Sequence, residues 1–152
     1  MSTNLDIFIG SDHRGHHLKN ELANKLRAKG YKVTDKSADK FNPEDDFPVF
    51  AGRVVHEVLA GGDDARGILL CGSGQGMAMM ANRHRGIRAA VVWDKTQAKL
   101  ARNDDDSNVI ALPADIFEKD IDSAVNIVEV WLKTPFESLP RRIRRIRQMD
   151  EI

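Results

Sequence analysis

The chain's only cysteine, Cys71, ends an apolar run and opens the stretch CGSGQG, with glycine at 72, 74 and 76. Glycine at every second position lets successive backbone N–H groups turn toward one point, and a helix opening there adds its own partial positive charge. Donors so arranged hold an oxyanion, a phosphate or a thiolate. The same residues also read as a tight strand-to-helix turn around a small buried thiol. A second group, GSDHRG (Gly10 to Gly15), ends another apolar run. Its Asp12 and His13 offer a carboxylate able to move a proton and a donor to an anion; Asp12 can equally serve as a helix cap. A third group, RRIRRIR (Arg141 to Arg147), places Arg141 and Arg145 four apart on one helix face. Forked guanidinium donors suit phosphate, and a solvated helix end is the alternative. The dinucleotide pattern G-x-G-x-x-G is not met after the first strand, the phosphate-loop lysine pattern is absent, and no metal-ligand spacing occurs. No cofactor and no metal are expected.

Short apolar runs must position these groups. Asp6 to Gly10, Tyr31 to Asp35, Gly67 to Cys71, Ile87 to Val92 and Asn108 to Leu112 read as strands. Helical spacing of apolar residues fills the intervals, over His16 to Lys29, Pro48 to Ala60, Gly74 to Arg83, Lys95 to Arg102 and Ile116 to Leu132. Pro140 suits the first turn of a last helix over about 137–150. Strands alternating with helices predict an α/β fold: a single doubly wound, Rossmann-like domain with a five-stranded parallel sheet. In such sheets ligands lie beyond the carboxyl ends of the strands. GSDHRG, CGSGQG and the WDKT stretch (Trp93 to Thr96) all fall there.

The 152 residues are 41% hydrophobic, enough for one domain with a core, and 23 basic residues balance 23 acidic ones. That balance gives no general attraction to nucleic acid or to an anionic membrane, and the arginine tail lacks interleaved aromatics. A lone cysteine cannot form an internal disulfide and fits a reducing compartment. No apolar run approaches the ~18 residues of a membrane span, and the N-terminus does not read as a signal peptide. The expectation is a soluble, cytoplasmic protein.

Taken together, GSDHRG, DFPVFA (Asp46 to Ala51), GILLCGSGQGM (Gly67 to Met77), ANRHRGIRAA (Ala81 to Ala90), SNVIAL (Ser107 to Leu112) and RRIRRI resemble the type B ribose-5-phosphate isomerases. That group includes the galactose-6-phosphate isomerase subunits, and the likeness runs from Ile7 to about Ile146. The resemblance implies metal-free aldose–ketose isomerisation of a phosphorylated sugar through an enediolate. It implies Cys71 as the general base, supported by Ser73, with Asp12 handling hydroxyl protons. The amides from Gly72 through Gly74, Gln75 and Gly76 would stabilise the enediolate oxygens. His13, Arg141 and Arg145 would hold phosphate, with Phe47 and Asp105 also at the substrate. Members of the group are dimers or tetramers whose sites draw on two subunits, so a homo-oligomer is expected, with the C-terminal helix on a partner.

Three positions depart from the group. A His-Asn-Asp run before the fifth strand is Asp104-Asp105-Asp106 here, and the glycine and arginine after that strand become Pro113, Ala114 and Asp115. The tyrosine of an Asp-Tyr-Pro motif is Phe47. Either Asp104 takes over ring opening in an acidic surrounding, or the substrate needs little ring opening, as a four-carbon sugar phosphate would. Ribose 5-phosphate is therefore expected to be a poor substrate. A non-catalytic sugar-phosphate-binding homologue is the alternative function.

Overall fold

A computed structural model describes residues 4–37 and 40–152. Five strands, β1 (Asp6–Ser11), β2 (Lys32–Asp35), β3 (Ala65–Cys71), β4 (Ala89–Val91) and β5 (Val109–Pro113), form one parallel sheet in the order β2-β1-β3-β5-β4. The helices are α1 (His16–Ala28), α2 (Phe47–Gly61), α3 (Gln75–Ala81), α4 (Lys95–Asn103), α5 (Ala114–Phe117), α6 (Ile121–Lys133) and α7 (Pro140–Asp150). The sheet is doubly wound, as the alternation of strands and helices predicts.

Right-handed crossovers decide which face each helix takes. The chain steps from β1 outward to β2 and from β4 back to β5, and α1 and α4 share one face. It steps the other way through α2 and α3, which share the opposite face. Ile7, Ile9, Leu18, Leu22, Leu26, Ile68 and Trp131 lie in the first core, and Phe50, Val54, Val55, Leu69, Cys71 and Met77 in the second. Each strand thus sends alternate residues to alternate faces. The direction of winding reverses between β1 and β3, which pair from Asp6↔Ala65 to Ser11↔Leu70. A crevice at the carboxyl ends opens at such a reversal, and the Asp12 and Cys71 loops leave the sheet side by side there.

Several boundaries differ from the sequence reading. The long helix predicted over Ile116 to Leu132 is two helices, because Asp120 accepts from Ser123 N–H at 3.2 Å and from Ser123 Oγ at 2.7 Å, capping α6 afresh. β3 begins at Ala65, two residues early. β4 keeps only three residues at the sheet edge, where pairing comes from β5 alone.

Two buried polar contacts brace this frame. Lys19 of α1 is buried, and its Nζ lies 2.8 Å from Asp35 Oδ2 at the end of β2. Burial alone would raise the Asp35 carboxyl, but the Lys19 ammonium and the Ser37 hydrogen bonds prevail and hold it below the ordinary carboxylate range. Trp131, fully buried, donates its indole N–H to Ser107 Oγ at 2.8 Å, tying α6 to the loop before β5. Among the described residues, no helix is long and apolar enough to cross a membrane.

Candidate active site

Cys71 is the last residue of β3, anchored from below by core neighbours and 6% exposed. Gly74 takes the left-handed conformation, φ 77°, which turns its N–H back onto Cys71 Sγ at 3.2 Å. Ser73 and Gln75 are exposed, and Ser73 Oγ accepts from Gln75 N–H at 3.3 Å rather than reaching the sulfur. The Gly72, Ser73 and Gly76 amides take no part in those two bonds. The Phe47 ring, at the start of α2, lies over Gly76: a Cβ there would come within 2.7 Å of Phe47 Cζ.

The Asp12 turn stands against this loop. Asp12 N–H donates to Leu70 O at 3.3 Å. Asp12 Oδ1 accepts from Arg14 N–H at 3.0 Å and Gly15 N–H at 3.2 Å, so the residue is a cap as well as a neighbour of the thiol loop. Its second carboxylate oxygen takes part in neither bond. His13 is fixed by Asp45, whose Oδ1 faces both the His13 backbone N–H at 2.9 Å and Nδ1 at 2.8 Å. With Nδ1–H donating to a carboxylate, Nε2 is the ring nitrogen left for a ligand.

Sequence reasoning passed over one pair here. The Arg14 guanidinium lies across Gly72, where a Cβ would meet Arg14 Cζ at 2.3 Å, and its Nη2 is ion-paired with Asp115 Oδ2. Asp115 N–H in turn donates to Gly72 O at 3.1 Å. The two residues are 101 positions apart, and no local pattern links them.

Asp104, Asp105, Arg141 and Arg145 are not brought to Cys71. Asp104 and Asp105 precede β5 and therefore lie at the amino end of the sheet, while Cys71 ends β3 at the carboxyl end. The sequence alone held this signal, since a loop before a parallel strand cannot share an end with loops after strands. Asp104 does not sit among carboxylates only: Arg142 Nη2 is 2.7 Å away, and Asn103 Nδ2 donates to it at 2.7 Å. Arg142 also donates to Asn103 O at 3.2 Å and pairs with Glu137, pinning the first turn of α7. Arg141 and Arg145 are exposed on that helix. Its far end is held by Gly86 N–H on Asp150 Oδ1 at 2.9 Å and by Arg85 on Ile152 O at 2.7 Å. No residue of α7 is buried.

Known proteins share this fold. Residues 7–149 match the Ribose/Galactose Isomerase family. The D-erythrulose-4-phosphate isomerase of Pectobacterium atrosepticum is 39% identical over 133 residues, covering 88% of this chain and 86% of that protein. A ribose 5-phosphate isomerase structure from Thermotoga maritima superposes with a TM-score of 0.90 at 39% identity, covering 97% of this chain and 99% of the other. The Mycoplasma genitalium ribose-5-phosphate isomerase B structure, with bound ribulose 5-phosphate, gives 0.90 at 36% identity, covering 99% and 100%. The chain belongs to the ribose/galactose isomerase family.

Proposed function

We propose that this chain is a metal-independent aldose–ketose isomerase of a phosphorylated sugar, with Cys71 as the base. The Gly74 N–H on Cys71 Sγ is the observation that carries this reading, because it sets a hydrogen-bond donor on the sulfur and leaves the Gly72, Ser73 and Gly76 amides beside it for the substrate's oxygens. The thiolate takes the proton from C2 of the aldose. The C–H electrons form the C1=C2 bond, and the carbonyl electrons move onto O1. The loop amides stabilise that oxygen; one well-aimed donor lowers the barrier by about 3 kcal/mol. The thiol then returns its proton to C1, while Asp12 passes the O2 proton to O1.

The second half of the site comes from another copy. Asp104, Asp105, Arg141 and Arg145 lie at the far end of the sheet, and α7 leaves Ile143, Ile146 and Met149 without a buried seat. A two-fold dimer brings the amino end of one subunit to the carboxyl end of the other, completing two sites at once.

The substrate is a sugar phosphate other than ribose 5-phosphate, with a four-carbon chain the best fit. Support comes from Asp104 and Asp115 at positions where the resemblance implies histidine and arginine, and from the likeness to an erythrulose-4-phosphate isomerase. Measuring kcat/KM for ribose 5-phosphate, allose 6-phosphate and erythrulose 4-phosphate tests it; a clear preference for the pentose refutes the substrate assignment. Iodoacetamide that alkylates Cys71 without loss of turnover refutes the base.

A further inference from the structure

The Arg14–Asp115 pair has a geometry that stability does not account for. Both side chains are 54% exposed, and an ion pair in water at that exposure contributes little to stability. Yet the pair is anchored at every point. Arg14 N–H is capped by Asp12, its guanidinium packs on Gly72, and Asp115 holds Nη2 through its carboxylate and Gly72 O through its N–H. The guanidinium thus lies fixed on the residue next to Cys71. Of its five N–H donors, the Asp115 ion pair engages Nη2 alone.

The charges around it give that cation a task. Asp12, Asp45, Asp46 and Asp115 gather at this end of the sheet, and His13 is committed to Asp45 through Nδ1. A phosphate dianion approaching those carboxylates meets repulsion unless a permanent cation stands among them, and a planar guanidinium offers two parallel donors matched to phosphate oxygens. We infer that Arg14 receives the substrate's phosphate, and that Asp115 is the positioning residue that keeps its fork over the thiol loop. This role rests on the sugar-phosphate reading of the site. A phosphate held on the residue beside Cys71 is within reach of a short carbon chain whose other end lies at the sulfur.

The experiment compares the full-length wild type with Arg14→Ala, Arg14→Lys and Asp115→Asn. Steady-state kinetics give KM and kcat separately on the best sugar phosphate. Inorganic phosphate binding is followed by amide NMR shifts at Gly72 and Gly74, which need no turnover. Arg14→Ala should raise KM and the phosphate Kd together by about tenfold to a hundredfold, as expected for a lost hydrogen bond to a charged group, while kcat falls far less. Lysine should recover part of the loss, because it keeps the charge without the fork. Asp115→Asn should raise KM by a smaller factor with kcat retained. If Arg14→Ala leaves both KM and phosphate Kd within about twofold of wild type, the pair is structural only and the inference is overturned. Wild type that binds phosphate but isomerises no sugar phosphate would sink the isomerase reading, while the phosphate comparison still decides Arg14. Wild type that does neither sinks both.

Discussion

At the carboxyl end of the sheet, Asp12, His13 and Cys71 are held by strand ends, by backbone donors and by partners such as Asp45. At the amino end, Asp104 is held by one arginine on a helix that buries none of its own residues. The first region is built into the core and keeps its shape within one chain. The second hangs on Arg142, Glu137 and the Asp150 and Ile152 contacts, which join it to a helix with no buried residue. Proton transfer tolerates little misplacement of its base, which suits it to the rigid region. Under the proposed dimer, Asp104, Arg141 and Arg145 reach the substrate only from a second subunit, where looser placement is tolerated.

The largest effect should come from the rigid region. Cys71→Ala should lower kcat by about 10³-fold, with KM and Tm little changed; proton exchange at the substrate carbon, read by deuterium uptake, should vanish with it. On a ring-forming sugar phosphate such as allose 6-phosphate, Asp104→Asn should cost kcat about 10²-fold, and here the comparison itself can be broken. Unfolding the two variants together and refolding them as a mixture should restore about a quarter of wild-type activity, since half the dimers are mixed and each mixed dimer has one intact site. Activity no higher than the separate variants would place both residues in one chain's site or make Asp104 irrelevant.

A smaller effect should follow Gly76→Ala, whose Cβ meets the Phe47 ring. We expect a loss of about 1–3 kcal/mol in stability, and relief when Phe47→Leu is added; urea midpoints of the four forms give the coupling. The smallest effect on turnover should come from Asp35, outside both regions. Its folded carboxyl is lowered below its unfolded value of about 3.9, so the Lys19 pair contributes stability above that value and loses it as pH falls through the folded one. Asp35→Asn should flatten the decline in urea midpoint as pH falls below about 4, and catalysis near neutrality should not change.

Much of the fold was legible because periodicity and glycine placement are local. The apolar faces of α1 and α2 fell where three-and-four spacing put them, and the loops carrying Asp12 and Cys71 met at the expected end of the sheet. Lateral strand order was not legible: nothing in Val109 to Pro113 says that β5 inserts between β3 and β4. The break at Asp120 was hidden because an aspartate inside an amphipathic run looks like an ordinary exposed residue until its cap forms. Arg142 was passed over for Arg141 and Arg145, since spacing along a helix shows which residues share a face but not which face meets Asp104. Arg14 and Asp115 were beyond reach for another reason. Their meeting depends on the register of β1, β3 and β5, which no single segment encodes.

The two tryptophans divide along the same line. Trp131, fully buried, is bonded to the loop that carries Asp104, while Trp93, 48% exposed, follows β4 at the opposite end. Their emission should separate into a blue component shielded from acrylamide and a red component open to it. The chain therefore carries a native optical probe for each end of its sheet, and changes at either end can be timed without attaching a dye.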